Sequence, residues 1–277
     1  MAAETPSLTG LYAKALMPVR HRPDRLSERS VTATVSLNRP ALARYQRVCG
    51  FDVSDVVPST YVHVLAFPLA VAIMSDRRFP LPMAGMLHAS NSIHQARTIS
   101  VGEALELTVW AENLRPHRFG RQVDLVADAK IGSAVVWSER STYLRRENPS
   151  DGEPPHPSAI QESADDGAAA RWRIPADIGR RYAAVSGDRN PIHLNSVAAK
   201  AFGFPRAIAH GMWLHARALA SLGARLPGSY RVDVDLKAPV FLPSTVSVIT
   251  RPTSDGFHLE VRRPRDQRPH MLMTTAS

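Results

Sequence analysis

At 277 residues, 44% hydrophobic and 21% charged, the chain has the balance of a globular protein, long enough for one large core or two ordinary ones, which excludes a disordered chain. No apolar run reaches the roughly 20 residues of a bilayer span, and MAAETPSLTG has neither the basic start nor the apolar centre of a secretion signal, so a cytoplasmic protein is expected. The single Cys49 excludes an internal disulfide and a cysteine-clustered metal site, while the formal charge of +9, carried by scattered arginines, reads first as a bias of coding composition and second as a surface for an anionic partner.

In chain order, the first half has a strand-poor start and a helical segment that closes at RYQRVCG, Arg44 to Gly50. An apolar helix is predicted from Tyr61 to Met74, and alternating strands follow at Leu105 to Ala111, Gln122 to Ala129 and Val135 to Leu144. Residues 147–170, rich in Pro, Ser, Asp, Glu and Gly, read as a linker. The second half repeats the order. A helix beginning near Pro175, with Ile174, Ile178, Tyr182 and Val185 on one face, closes at RYAAVSG, Arg181 to Gly187. A short helix capped near Asn195 ends at Gly203, an apolar helix runs from Met212 to Leu222, and strands follow at Thr245 to Thr250, Phe257 to Val261 and Met271 to Thr274.

Two offsets tie the halves together. Tyr45 and Tyr182 in the first pair of matching stretches are 137 residues apart, and Ile93 and Val234, which open IHQARTISVGEAL and VDLKAPVFLPSTV, are 141 apart. A helix apolar on nearly every face must be wrapped, and one antiparallel sheet curling around it is the economical solution. The expected fold class is therefore α+β, a tandem or double hotdog, with residues 1–146 and 171–277 as its units and their sheets joined at an edge.

The stretch YAAVSGDRNPIH, Tyr182 to His193, carries the chemistry. Taken locally, it is equally a helix stop and a turn: Gly187 supplies a left-handed terminating residue, and Asp188, Asn190 and Pro191 are turn formers. Yet Asp188 and His193 lie five apart across a proline-stiffened bend, where a carboxylate and an imidazole can converge on one water. AHGM, Ala209 to Met212, opens the second apolar helix. The Gly211 amide there, with no Cβ to block approach, sits at the positive end of a helix dipole and suits a developing oxyanion.

Tyr182, Val185, Ser186, Gly187, Asp188, Asn190, Pro191 and His193 together resemble the signature of the MaoC-like (R)-specific enoyl thioester hydratases and dehydratases, and the likeness covers the second half from about Arg173. The resemblance implies that Asp188 and His193 are the catalytic pair and that Asn190 orients the loop or the water. It places Gly211 on the thioester oxygen, with Ser186 and Met212 beside the substrate, and implies no metal or other cofactor. The implied reaction is reversible addition of water to a trans-2-enoyl thioester, giving an (R)-3-hydroxyacyl thioester carried on coenzyme A or acyl carrier protein.

In the first half Phe51 stands at the position of Asp188, and no N-P-x-H follows. That half is expected to be catalytically silent; its likeness to double-hotdog members of the family implies that it makes room for the acyl chain, with Tyr61 to Met74 either lining that space or serving only as core. A hotdog thioesterase and a non-catalytic acyl-binding subunit remain as alternatives, and a homodimer is left open. His63, His88 and His94 are read as core or solvated histidines, His215 as a satisfied interior one, and VRRPRDQRPH as a charged hairpin tip.

Overall fold

The structure, a computed structural model, describes residues 21–147 and 170–277, together with Leu8, Gly10, Leu11 and Ile160. The linker expected at residues 147–170 lies, except for Glu147, Ile160 and Ala170, outside the described residues.

The first half contributes strand β1 (Ser30–Ser36), helix α1 (Arg39–Cys49), helix α2 (Ser59–Met74) and strands β2 (Met86–Gln95), β3 (Ala104–His117), β4 (Gly120–Ile131) and β5 (Ala134–Arg146). The second contributes β6 (Ala170–Ile174), α3 (Ile178–Ser186), the short helices α4 (Pro191–Leu194) and α5 (Ser196–Ala201), α6 (Gly211–Leu222), then β7 (Tyr230–Leu236), β8 (Ser244–Pro252), β9 (Gly256–Arg262) and β10 (Pro269–Ala276). The ten strands form one antiparallel sheet in the order β1-β3-β4-β5-β2-β7-β10-β9-β8-β6. Each half has the same topology, and the halves meet where β2 pairs with β7.

The register reproduces the repeat. Ser92 pairs with Asp233, positions 141 apart and therefore equivalent, so an approximate twofold axis passes through that pair. The approach to each buried helix is matched too. Val57 N–H donates to the Ile99 carbonyl at 2.9 Å in the first half, as Ala209 N–H does to Val240 at 2.9 Å in the second. By that correspondence His63 is the counterpart of His215, Ser59 of Gly211 and Pro58 of His210.

Helix α2 is buried along nearly its whole length, with Val62, Leu69 and Val71 fully enclosed, and α6 buries Met212, Trp213, Leu214, Ala216, Ala218 and Leu219. Each such aliphatic side chain contributes about 1.5–3 kcal/mol relative to exposure. The sheet wraps these helices because neither has a polar face to leave in water. Cross-links also join the halves: Trp213 Nε1 donates to the Val48 carbonyl at 3.1 Å, and the Tyr230 hydroxyl to Ser59 Oγ at 2.8 Å.

Three expectations need correction. Both halves begin with an edge strand, β1 or β6, rather than a strand-poor start. Only Ala33 of SVTATVS is fully buried, so an edge strand of that kind carries little hydrophobic signal. Pro175 lies before α3 rather than in its first turn, and Asp177 is the cap residue. His215 is interior, but neither of its ring nitrogens has a hydrogen-bond partner among the described residues, so it is not satisfied. The arginine-rich VRRPRDQRPH is the turn between β9 and β10, where Arg263 bonds Asp266 through its Nε at 2.7 Å.

Candidate active site

Helix α3 stops at Gly187 in the left-handed region, φ 75°, as α1 stops at Gly50, φ 81°. The chain then turns tightly on its own side chains. Ser186 Oγ accepts from Asp188 N–H at 3.2 Å, Asp188 Oδ1 from Asn190 N–H at 3.1 Å, and Asn190 Oδ1 from Ile192 N–H at 3.4 Å. Asn190 thereby caps α4, whose first residue is Pro191, and α4 carries His193. Asn195 caps α5 in turn, accepting from Ala198 N–H at 2.8 Å.

This bend brings the predicted pair together. A carboxylate oxygen of Asp188 and one ring nitrogen from each of His193 and His210 all lie within 4.8 Å of one another. That spacing leaves room for one small molecule held by several groups at once. His193 Nδ1 lies 2.9 Å from the Ile208 carbonyl, which can only accept, so Nδ1 carries the proton and Nε2 the lone pair. Burial lowers the pKa of His193, against the opposing pull of the Asp188 charge and the Ile208 carbonyl, so the ring is a neutral base at neutral pH.

His210 is the residue the sequence reading missed. It is the N-cap of α6, and its ring stacks on His193 with centroids 3.7 Å apart. Its Nε2 donates to the Asp188 backbone carbonyl at 3.0 Å and lies 3.7 Å from that residue's carboxylate. Tyr182 covers it from the other side, centroids 4.9 Å apart. Burial, then the neighbouring His193, lowers the His210 pKa to about 3. An uncharged ring so close supports His193 by packing without repelling the proton that His193 takes up. The signal in the sequence is AHGM, where a histidine precedes the glycine that opens a buried helix.

Gly211 and Met212 follow at the start of α6, and both line a cavity of about 1040 Å³ that also reaches Ser186, Asp188, Asn190 and His193. All six predicted site residues thus face one space. Gly211 N–H, the first of the helix, is out of reach of any intrahelical acceptor. A Cβ there would overlap Leu236. The three clustered groups Asp188, His193 and His210 are also of types that can ligate a divalent cation.

In the first half Phe51 follows the left-handed Gly50, and Pro58 stands where His210 does, so neither counterpart can exchange a proton. The cavity nevertheless extends into that half, between His63, Phe67 and Met74 of α2 and Met86, Leu87 and His88 of β2.

The buried histidines make stability depend on pH. Burial lowers the pKa of His88 to about 4 and those of His210 and His215 to about 3, from 6.5. Their folded-state values lie below the unfolded one, so as pH falls the unfolded chain takes up protons first. The contribution is fully present above about 6.5 and is lost as pH falls toward 4 and 3. Urea midpoints should hold between pH 8 and 7 and begin to drop near 6.5, before ordinary carboxylates titrate. A midpoint unchanged from pH 7 to pH 5 would contradict the assignment.

Residues 156–261 match the MaoC like domain. The chain is 40% identical over 264 residues to 3-hydroxyacyl-thioester dehydratase X of Mycobacterium tuberculosis, which covers 95% of this chain and 94% of that protein. A crystal structure of HtdX from the same organism superposes with a TM-score of 0.79 at 37% identity, covering 89% of this chain and 99% of that one. Over 98 residues the chain is 33% identical to the (R)-specific enoyl-CoA hydratase of Aeromonas caviae, spanning 34% of this chain and 66% of that protein. With the double-hotdog sheet, the G-D-x-N-P-x-H bend and a relative matched along nearly its entire length, the chain belongs to the MaoC-like dehydratase family.

Proposed function

We propose that the chain catalyses reversible hydration of trans-2-enoyl thioesters to (R)-3-hydroxyacyl thioesters in fatty acid metabolism, as a hydro-lyase. The observation that carries this reading is the convergence of Asp188 and His193 within 4.8 Å beside the start of α6. A water held between them donates one hydrogen bond to the Asp188 carboxylate and the other to His193 Nε2. As its oxygen bonds to C3, its proton passes to His193, and the C2–C3 π electrons move onto the thioester carbonyl. Gly211 N–H meets the resulting oxyanion. His193 then returns the proton to C2, leaving both enzyme groups as they began. Dehydration runs the same steps in reverse.

The N-terminal half, without a counterpart of Asp188 or His193, is assigned to the acyl chain. The mouth of the cavity carries Arg115, Arg118, Arg146, Arg189 and Lys237, which suit the phosphates of coenzyme A or of an acyl carrier protein's prosthetic arm. Among the described residues no helix is long and apolar enough to cross a membrane.

The test is hydration of crotonyl-CoA and longer enoyl-CoAs by the purified chain after dialysis against a chelator. The conjugated absorbance should fall and no free thiol should appear. Thiol release instead would favour a thioesterase. Inactivity restored only by a divalent cation would overturn the two-residue scheme, and inactivity under every condition would favour a binding subunit.

A further inference from the structure

The N-terminal part of the cavity is not the plain apolar sleeve that an alkyl chain requires. His88 lines it among Phe67, Met74, Met86 and Leu87, and its Nε2 has no hydrogen-bond partner among the described residues. Its ring is stacked on Tyr143, centroids 4.6 Å apart, and lies 6.2 Å from the ring of His63. Behind it His63 Nδ1 bonds Glu139 Oε1 at 2.8 Å, and Asn91 Nδ2 holds the same carboxylate while bonding Ser141 Oγ at 3.0 Å. The Asn91 side-chain oxygen Oδ1 is buried with no partner among the described residues.

This polar cluster is peculiar to the N-terminal half. His63 has a counterpart in His215, but the carboxylate does not. Ile93 pairs with Glu139 as its equivalent Val234 pairs with Met273, so a methionine fills that place in the other half. The half without the catalytic pair has therefore placed a carboxylate and further polar groups beside its helix, where burying them is costly unless they are matched. His88 and Tyr143 line the same cavity as Asp188, so this cluster faces the space that holds the reacting chain. At 1040 Å³ the cavity is at the upper limit of the roughly 300–1,000 Å³ usual for ligand sites, so a short acyl chain would leave much of it empty.

We propose that the N-terminal half recognises an acyl chain bearing a hydroxyl group a few carbons beyond C3, with His88 as the residue that selects it. A hydroxyl can donate or accept and so satisfies His88 Nε2 in either tautomer. The neutral ring needs no counter-ion. The apolar neighbours Phe67, Met74 and Met86 hold the intervening methylenes, and the flexible methionines adapt to their number. This inference rests on the hydratase reading of the same cavity.

The experiment compares matched trans-2-enoyl-CoAs of one chain length, unsubstituted or hydroxylated singly at C5 through C8, by kcat/KM, and the corresponding saturated acyl-CoAs by calorimetric Kd. At one position the hydroxyl should raise kcat/KM and tighten Kd by at least about tenfold, the direction expected of a site that hydrogen-bonds its substrate. In His88→Leu the ratio between the two substrates should fall to about one, and in His88→Gln part of it should return. If no hydroxylated chain outperforms its unsubstituted partner, or if His88→Leu keeps the preference, the proposal is overturned. Turnover of the unsubstituted series tests the hydratase reading separately, and the saturated ligands report on the subsite without turnover.

Discussion

Replacing His193 by alanine should lower kcat for enoyl-CoA hydration by about 10²–10⁴, the range usual for loss of a positioned acid or base. Asp188→Asn should cause a comparable loss. The reasons differ. His193 supplies the basic nitrogen: with Nδ1 committed to the Ile208 carbonyl its Nε2 keeps a lone pair for the proton, whereas His210 gives its Nε2–H to the Asp188 carbonyl. Removing it leaves the water without a proton acceptor. Asparagine at 188 keeps the size and the oxygen that Asn190 N–H bonds, but it removes the negative charge that supports protonated His193. KM should change little in either variant, since neither group binds the bulk of the thioester, and the double variant should be little worse than the single ones because the two act on one water. Near-normal turnover in either variant, measured by loss of the conjugated absorbance, would remove the mechanism.

Gly179→Ala should be almost as damaging, although the residue touches no substrate. Gly179 lies in the first turn of α3, and a Cβ there would overlap the backbone carbonyl oxygen of His193. The obstacle is main chain on both sides, so no side-chain rotation relieves it. Either α3 or α4 must move, carrying Asp188 or His193 with it. A shift of about 1 Å at a catalytic group can cost about 10² in rate. We therefore expect kcat to fall by about that factor, with a lower melting temperature because the packing of α3 on α4 is disturbed. The variant should still bind a saturated acyl-CoA, since the basic mouth and the N-terminal part of the cavity lie elsewhere. Unchanged kcat would mean that the His193 turn is not held from below by α3.

The features legible in the sequence were those encoded locally. The two enclosed helices announced themselves because a run such as Tyr61 to Met74 has no polar face. Gly50 and Gly187 marked both helix stops because a left-handed residue is needed there, and the offset of 141 between the halves recurs in the β2–β7 register, where Ser92 pairs with Asp233. The edge strands β1 and β6 escaped notice because they bury so little. His210 was hidden by its role as a cap, where a histidine is as ordinary as any other residue until its stacking on His193 is seen. The His63–Glu139 pair spans 76 residues and two different elements, so no spacing rule could have joined them.

The central claim is that one water, held between Asp188 and His193 on a single face of the substrate, supplies both the hydroxyl at C3 and the proton at C2. Hydration of crotonyl-CoA in D₂O, followed by NMR of the product, tests it most directly. The account predicts one deuterium at C2, an (R) centre at C3, and addition of oxygen and deuterium to the same face. Addition to opposite faces would show that the groups acting on C2 and C3 stand on different sides of the substrate and would contradict it; an (S) product would show that the water attacks the other face and would contradict the assigned stereochemistry.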